Sequence, residues 1–322
     1  VVVYAKASDD AVAQVHLGAN FPLTLTLQFA TVDGKVLDEA SWETPGRHGT
    51  GWLAASALTT IQPTGIANAS FDALDTALAD YLADYKTRVG VELYDVTRGV
   101  TYTYNADRPY LVASSMKVPI MLTLLTQLEA KGRGPNATER SLLTTMIENS
   151  RNASASALYI EIGYQAGINA FMKKVGISGL TPQTPAIGWG WSTITPAAMV
   201  ALLERLHAGT VLNATDRALA FKLMEHIQAD QRVGVGDSSP AGATIALKDG
   251  WVEGPDDLYV MNSSGIVTLG SETYIVAAYT MDDKSFAEGF AIVRHICKAI
   301  GPHMVASAQS SPASSPQVSP TA

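Results

Sequence analysis

The sequence holds one cysteine, Cys297, so no intrachain disulfide framework can staple the fold. Its apolar residues never run uninterrupted to membrane-spanning length, and no transmembrane helix is predicted. Cations are scarce: 22 Lys and Arg stand against 30 Asp and Glu, a net charge of −8. Without a basic stripe to neutralise phosphates, nucleic acid and anionic membrane surfaces are excluded as partners. No Gly-x-Ser-x-Gly elbow and no His-Glu-x-x-His occurs, and the six histidines are scattered singly, so neither a His-based triad nor a metal site is predicted and no cofactor is implied. Gly234-Val235-Gly236 lacks the third glycine and the preceding long strand of a dinucleotide site, and reads as a turn. One further absence is local: no Asp or Glu lies between Glu161 and Glu204.

What remains is a globular composition, 322 residues with 47% hydrophobic and 16% charged, enough for two domains and a substantial core. Residues 1–62 read as short strands punctuated by turns, a small β domain. The strands are expected at Val1 to Ala5, Val12 to Leu17, Leu23 to Ala30, around Trp42 and in Gly49 to Leu58. A linker is expected over 63–70, then a helix capped by Ser70, with Phe71, Leu74, Leu78, Tyr81 and Leu82 at helical spacing. Val89 to Asp95 and Val100 to Tyr104 make a hairpin around Thr97-Arg98-Gly99.

Helices are expected to start at Thr138, Asn152, Thr195-Pro196 and Asn213, with an irregular stretch from Gly176 to Thr193. Strands return at Thr244 to Lys248, Tyr259 to Leu269 and Thr273 to Thr280, and a closing helix is expected from Asp283 to Ile300. Terminal strands pairing with the early hairpin predict an α+β fold: one antiparallel sheet flanked by helices, with an inserted all-helical subdomain. That domain is placed at 71–301, and the Ser- and Pro-rich residues 302–322 are expected to be a disordered tail.

The chemistry is sought at the head of an apolar helix, in Ser114-Ser115-Met116-Lys117, where one turn puts a serine and a lysine on one face. At a helix N-terminus the unpaired N–H groups and the positive end of the dipole favour an oxyanion and disfavour an ammonium, so Lys117 becomes a base beside a nucleophile. The same spacing also suits an N-cap and a solvated lysine. Ser150-Arg151-Asn152 between two helices and Lys248-Asp249-Gly250-Trp251 at a strand end are each ordinary in isolation, a cap and a strand-to-turn sequence.

In this order the three resemble the signature of the penicillin-recognising serine enzymes: Ser-x-x-Lys, Ser-x-Asn and Lys-[Thr/Ser]-Gly. The spacing over about residues 70–301 is most similar to the class A β-lactamases. The resemblance implies that Ser114 is acylated and Lys117 accepts its proton. It further implies that Ser150 relays a proton to the leaving nitrogen, Asn152 holds the substrate amide and Lys117, and Lys248 supplies positive charge opposite. Asp249, Gly250 and Trp251 would border the substrate, and the N–H groups of Ser114 and Trp251 would form the oxyanion hole.

Three departures bear on the activity. Class A enzymes carry a glutamate before the helix that here starts near Thr195, which activates the deacylating water. Gly188-Trp189-Gly190-Trp191 fills that region here, so either a long-lived acyl-enzyme or hydrolysis through Lys117 or another group is expected. Asp249 replaces the hydroxyl residue of the third motif. If it points into the site it opposes an anionic substrate, since two like charges about 4 Å apart repel by ~1 kcal/mol in water and ~4 at an effective dielectric of 20. The strands after Lys248 hold no Lys or Arg until Lys284, which leaves Arg232 as a substitute only if its loop folds over the site. Trp189, Trp191 and Trp251 suit either an aromatic wall or simple packing.

The sequence therefore predicts a serine hydrolase that acylates Ser114 on a small-molecule or peptidoglycan-like amide or ester. A D-Ala peptidase, transpeptidase or esterase on the same scaffold and a non-catalytic wall-binding protein are the alternatives. The N-terminal segment resembles the bacterial SH3-like module, with Gly51-Trp52 before its last strand, which implies cell-wall contact or a spacer; Trp42 and Trp52 would equally fill a small core. The chain begins at Val1 without methionine, so a signal or anchor outside it and a secreted or cell-envelope location are expected.

Overall fold

The computed structural model describes residues 2–4, 13–16, 24–32, 35–44, 47–54, 67–254 and 257–310. The chain divides into two compact units, residues 1–68 and 69–322. The first contains a five-stranded antiparallel sheet of β1 (Val2–Tyr4), β2 (Ala13–His16), β3 (Thr24–Val32), β4 (Lys35–Thr44) and β5 (Arg47–Ala54). Its spatial order is β2-β1-β5-β4-β3. The packing expected of Trp42 and Trp52 concerns side chains outside the described set.

The second unit begins with α1 (Ala67–Leu82), so Ser70 lies inside the helix and does not cap it. Ala67, Asn68 and Ala69 offer nothing that stops a helix, and the first turn extends through them. Next come β6 (Arg88–Asp95), β7 (Val100–Tyr104) and β8 (Tyr110–Leu111). A 3₁₀ turn over Ala113–Met116 leads into α2 (Lys117–Ala130). The helical subdomain continues with α3 (Ala137–Ile147), α4 (Asn152–Glu161) and α5 (Tyr164–Val175). Gly163, at φ 84°, separates α4 from α5 in a conformation that costs a glycine little. After β9 (Leu180–Thr181) and β10 (Thr193–Ile194) come α6 (Pro196–Ala208), α7 (Ala214–Glu225) and the short α8 (Val235–Ser238). β11 (Thr244–Glu253), β12 (Tyr259–Leu269), β13 (Glu272–Asp283) and α9 (Phe286–Ser310) close the unit.

The caps follow local chemistry. Asn136 and Glu139 form a reciprocal capping box on α3, one residue upstream of the expected start. Thr195 accepts from the Ala198 N–H, with Pro196 at the first helical position of α6. Asn213 accepts from Thr215 and Asp216 on α7. α9 runs ten residues past Ile300: Pro302 forfeits one hydrogen bond, but the residues after it up to Ser310 include good helix formers such as Ala and Met. Residues 311–322 of the expected tail lie outside the described residues.

The central sheet is antiparallel, in the order β11-β12-β13-β6-β7, so the closing strands pair with the early hairpin through β13 and β6. Period-two alternation along β13 sends Ile275, Ala277 and Tyr279 into one core with α2 and the helical subdomain. Tyr274, Val276 and Ala278 go into a second core with α1 and α9. This is the α+β arrangement expected of the second unit, one antiparallel sheet flanked by helices with an inserted helical subdomain.

Candidate active site

α2 is apolar almost all round because it is buried on every side: Val118, Ile120, Met121, Leu122 and Leu125 are fully inaccessible. Its approach is bent rather than smooth. Ala113 has φ 46°, a left-handed conformation that costs a non-glycine residue about 1–3 kcal/mol. Around it, the Val112 N–H donates to Ser192 O at 2.9 Å and the Ser115 N–H to Val112 O at 3.1 Å. Asn262 of β12 donates from Nδ2 to Leu111 O at 2.7 Å, occupying the carbonyl one turn before Ser114. Among the described residues the Ser114 N–H meets no acceptor.

Lys117 extends from the first position of α2 and is 0% exposed. Its Nζ lies 2.7 Å from Ser114 Oγ, 2.8 Å from Ser150 O, 2.9 Å from Ser150 Oγ and 2.9 Å from Asn152 Oδ1. Burial, with a smaller push from Lys248, lowers this amine to about 6. A neutral amine has two N–H donors and one lone pair. The Ser150 carbonyl and the Asn152 amide oxygen can only accept, so they take the two hydrogens and leave the lone pair for a hydroxyl proton. Ser114 is the nearer of the two hydroxyls.

Ser150 and Asn152 do not cap α4, as their sequence would allow. Arg151 is the cap position and makes no side-chain capping bond, while Asn152 turns its oxygen to Lys117. Ser150 is held at φ 52° between α3 and α4. Two strained residues, Ala113 and Ser150, thus flank the buried amine.

On β11 the pleat decides which residue faces which way. Lys248 is fully buried, donates to Asp249 O at 3.0 Å and is lowered to about 8 by desolvation. Gly250 presses against the 3₁₀ turn that precedes α2: a Cβ there would stand 2.7 Å from the backbone nitrogens of both Ser114 and Ser115. Asp249 faces the other way. It is 0% exposed and its Oδ2 accepts the Val233 N–H at 2.7 Å. Burial raises its carboxyl to about 7. The expectation that Asp249 borders the substrate is therefore corrected: alternation turns it into the α9-side core, and no carboxylate from it reaches the cleft. Arg232 is half-buried and donates from Nη1 to Glu225 O at 3.2 Å, away from the substitute role considered for it.

Ser114, Asn152, Trp189, Trp191 and Trp251 line one cleft of about 240 Å³, with Ile187 at its rim. Trp251, on the same face of β11 as Asp249, packs its ring on the α9 side against Phe290, ring centroids 5.5 Å apart. The Trp189 ring centroid is 5.0 Å from Lys117 Nζ, and its Nε1 donates to Ser156 Oγ at 3.1 Å. Two participants escaped the sequence reading. Asn262 is signalled only by the polar run Asn262-Ser263-Ser264 inside a buried strand, and Ser156 by nothing local. Among the described residues no cluster of His, Cys, Asp and Glu could hold a metal.

A family model described as "Beta-lactamase enzyme family" matches residues 73–138 and 131–304. Beta-lactamase L2 of Stenotrophomonas maltophilia is 28% identical over 207 residues, 53% of this chain and 68% of that protein. Beta-lactamase AER-1 of Aeromonas hydrophila is 25% identical over 197 residues, 51% of this chain and 64% of that protein. Among solved structures, the TLA-1 extended-spectrum β-lactamase superposes with a TM-score of 0.67 at 20% identity, covering 73% of this chain and 99% of that one. A variant of PBP-A, solved as an acyl-enzyme complex with penicillin G, gives 0.64 at 17% identity over 73% and 97%.

Proposed function

The chain belongs to the beta-lactamase enzyme family and is a β-lactamase-like serine hydrolase, and from that premise we propose that it acylates Ser114 and releases the acyl group slowly. The observation that carries this reading is the buried Lys117 amine, within 2.7–2.9 Å of Ser114, Ser150 and Asn152. Ser114 Oγ attacks the substrate carbonyl as its proton passes to Lys117 Nζ. The oxyanion is received by the N–H groups of Ser114 and Trp251. The proton then reaches the leaving nitrogen or oxygen through Ser150, while Lys248 lends positive charge and Asn152 holds the acyl amide. Collapse of the tetrahedral intermediate breaks the scissile bond and leaves an ester on Ser114.

Hydrolysis of that ester needs an activated water. The loop between α5 and α6 brings Trp189 and Trp191 to the cleft and no carboxylate, which favours a long-lived ester. Asp249 is turned into the core, and β12 and β13 carry no cation. The buried Asp249 neither repels nor grips a substrate carboxylate, so it is the missing cation on β12 and β13 that favours an uncharged amide or ester and keeps a D-Ala peptidase, transpeptidase or esterase as the second reading. We assign the first unit, the SH3-like reading of residues 1–62, to wall contact or spacing in an extracytoplasmic setting. Among the described residues no helix is long and apolar enough to cross a membrane.

The test is intact mass after incubation with a penicillin and with a neutral fluorophosphonate. An adduct on the wild type that is missing in Ser114→Ala and lasts for hours is expected. No adduct from either reagent on folded protein would sink the acylation reading, and fast nitrocefin turnover would sink the slow release.

A further inference from the structure

We propose that Trp189 is a positioning residue for the acylation step: its indole, pinned to α4 through Ser156, covers the Lys117 amine and keeps water from it, so that the amine remains a base. This rests on reading Ser114 and Lys117 as the acylating pair. Lys117 is 0% exposed although its partner Ser114 is only half-buried and Asn152 is exposed. Cover on the cleft side must come from a neighbour, and the Trp189 ring, 5.0 Å from Nζ, supplies it.

One hydrogen bond holds the ring itself, and others fix the backbone that carries it. Its Nε1 donates to Ser156 Oγ at 3.1 Å. Its carbonyl accepts the Ser192 N–H at 3.2 Å, and the Trp191 N–H donates to Gly188 O at 3.1 Å. Gly188 at φ 99° provides the turn into this 3₁₀ segment, and the buried Ser192 accepts the Gln183 N–H at 3.0 Å.

An aromatic face can act on an amine in two opposite ways. Its quadrupole attracts a cation and favours ammonium; its exclusion of water disfavours ammonium. Here exclusion wins, because nothing nearby balances a buried positive charge. The loop 182–191 has no ionisable side chain. On α4, Tyr159 donates to Gln183 O, and Glu161, at the far end, interacts with Glu139 and Arg133. From β11 the facing group is Lys248, a second cation, while Asp249 is turned to the opposite side. The lowering of Lys117 to about 6 is in keeping with this.

The experiment follows the Lys117 ¹³Cε resonance in the whole chain labelled on lysine, identified by its absence in Lys117→Met. In Trp189→Ala the titration midpoint is expected to rise by about one unit or more, a tenfold change in the ammonium-to-amine ratio. Trp189→Phe, which keeps a ring over the amine, and Ser156→Ala, which frees the indole, are expected to give smaller rises, and they remain informative if Trp189→Ala does not fold. Labelling of Ser114 at pH 6 is expected to slow in Trp189→Ala and to recover at pH 8. An unchanged or lowered midpoint in folded variants overturns the proposal. If the midpoint rises as expected but wild-type Ser114 takes up no reagent, the cover stands and it is the acylation reading that fails.

Discussion

A lysine within hydrogen-bond reach of four oxygens would ordinarily be an ammonium, and the chemistry proposed for Lys117 turns on what lowers its affinity for a proton. Two of those oxygens are on hydroxyls, which can donate as well as accept, and the burial is complete, so nothing compensates a positive charge. Lowered to about 6, the amine is the base-competent form at neutral pH. The rate of Ser114 labelling should therefore climb between pH 5 and 7 with a midpoint near that value, and a flat profile would argue against Lys117 as the base. Lys117→Met should slow labelling by roughly 10²–10⁴-fold, the usual worth of a positioned base, without loss of the folded transition.

Asp249 makes a separate prediction. Its folded carboxyl is raised to about 7, above its ordinary value, so the native state holds the proton more tightly than the unfolded chain does. The contribution to stability is present below about pH 4 and is lost as pH rises through about 7, at on the order of 1 kcal/mol per unit within the window. Lys117 acts oppositely above about 6, so the difference between variants is the useful quantity. Melting of Asp249→Asn and wild type from pH 4.5 to 7.5 should show the variant gaining relative stability as pH rises; parallel curves would refute the assignment.

Among the elements, the junction of β11 with the 3₁₀ turn before α2 carries a tight backbone contact at the site. A methyl at Gly250 would meet the Ser114 and Ser115 backbone nitrogens at 2.7 Å, and backbone cannot swing aside as a side chain can. Gly250→Ala should push the strand and the turn apart and reduce Ser114 labelling by more than about tenfold at unchanged midpoint pH, because oxyanion stabilisation depends on placement within fractions of an ångström. Asn136→Ala provides the contrast. It removes the capping box of α3, should cost about 1 kcal/mol of stability measured by denaturant unfolding, and should leave labelling unchanged.

For the whole molecule, the division at Asn68 and Ala69 separates the wall-contact assignment from the chemistry. A chain spanning residues 67–310 should label at Ser114 as fast as the full chain and should lose retention on purified cell-wall material. Equal retention of both would remove the assignment made for the first unit. The local signals were strong where the physics is local: the caps at Thr195 and Asn213, the hairpin of β6 and β7, and the apolar run of α2 were all readable. So was the pairing of first and last strands in one antiparallel sheet, because the apolar segments there have no other partner. The ends of α1 and α9 were not, since Ser70 and Pro302 are weak signals that neighbouring helix formers outweigh.

The sequence by itself determined that a serine, a lysine, a Ser-x-Asn and a second lysine occur in an order suited to acyl transfer, on a chain whose loop before α6 has no carboxylate. Only the tertiary structure decided what the third motif does with its aspartate. The pleat of β11 gives Lys248 and Gly250 to one face and Asp249 to the other, where Val233 receives it. It also decided that Trp189 lies over Lys117, a contact between residues 72 positions apart that no local pattern encodes. Side-chain direction and solvent exclusion depend on what packs from across the cleft, and that is a property of the folded chain.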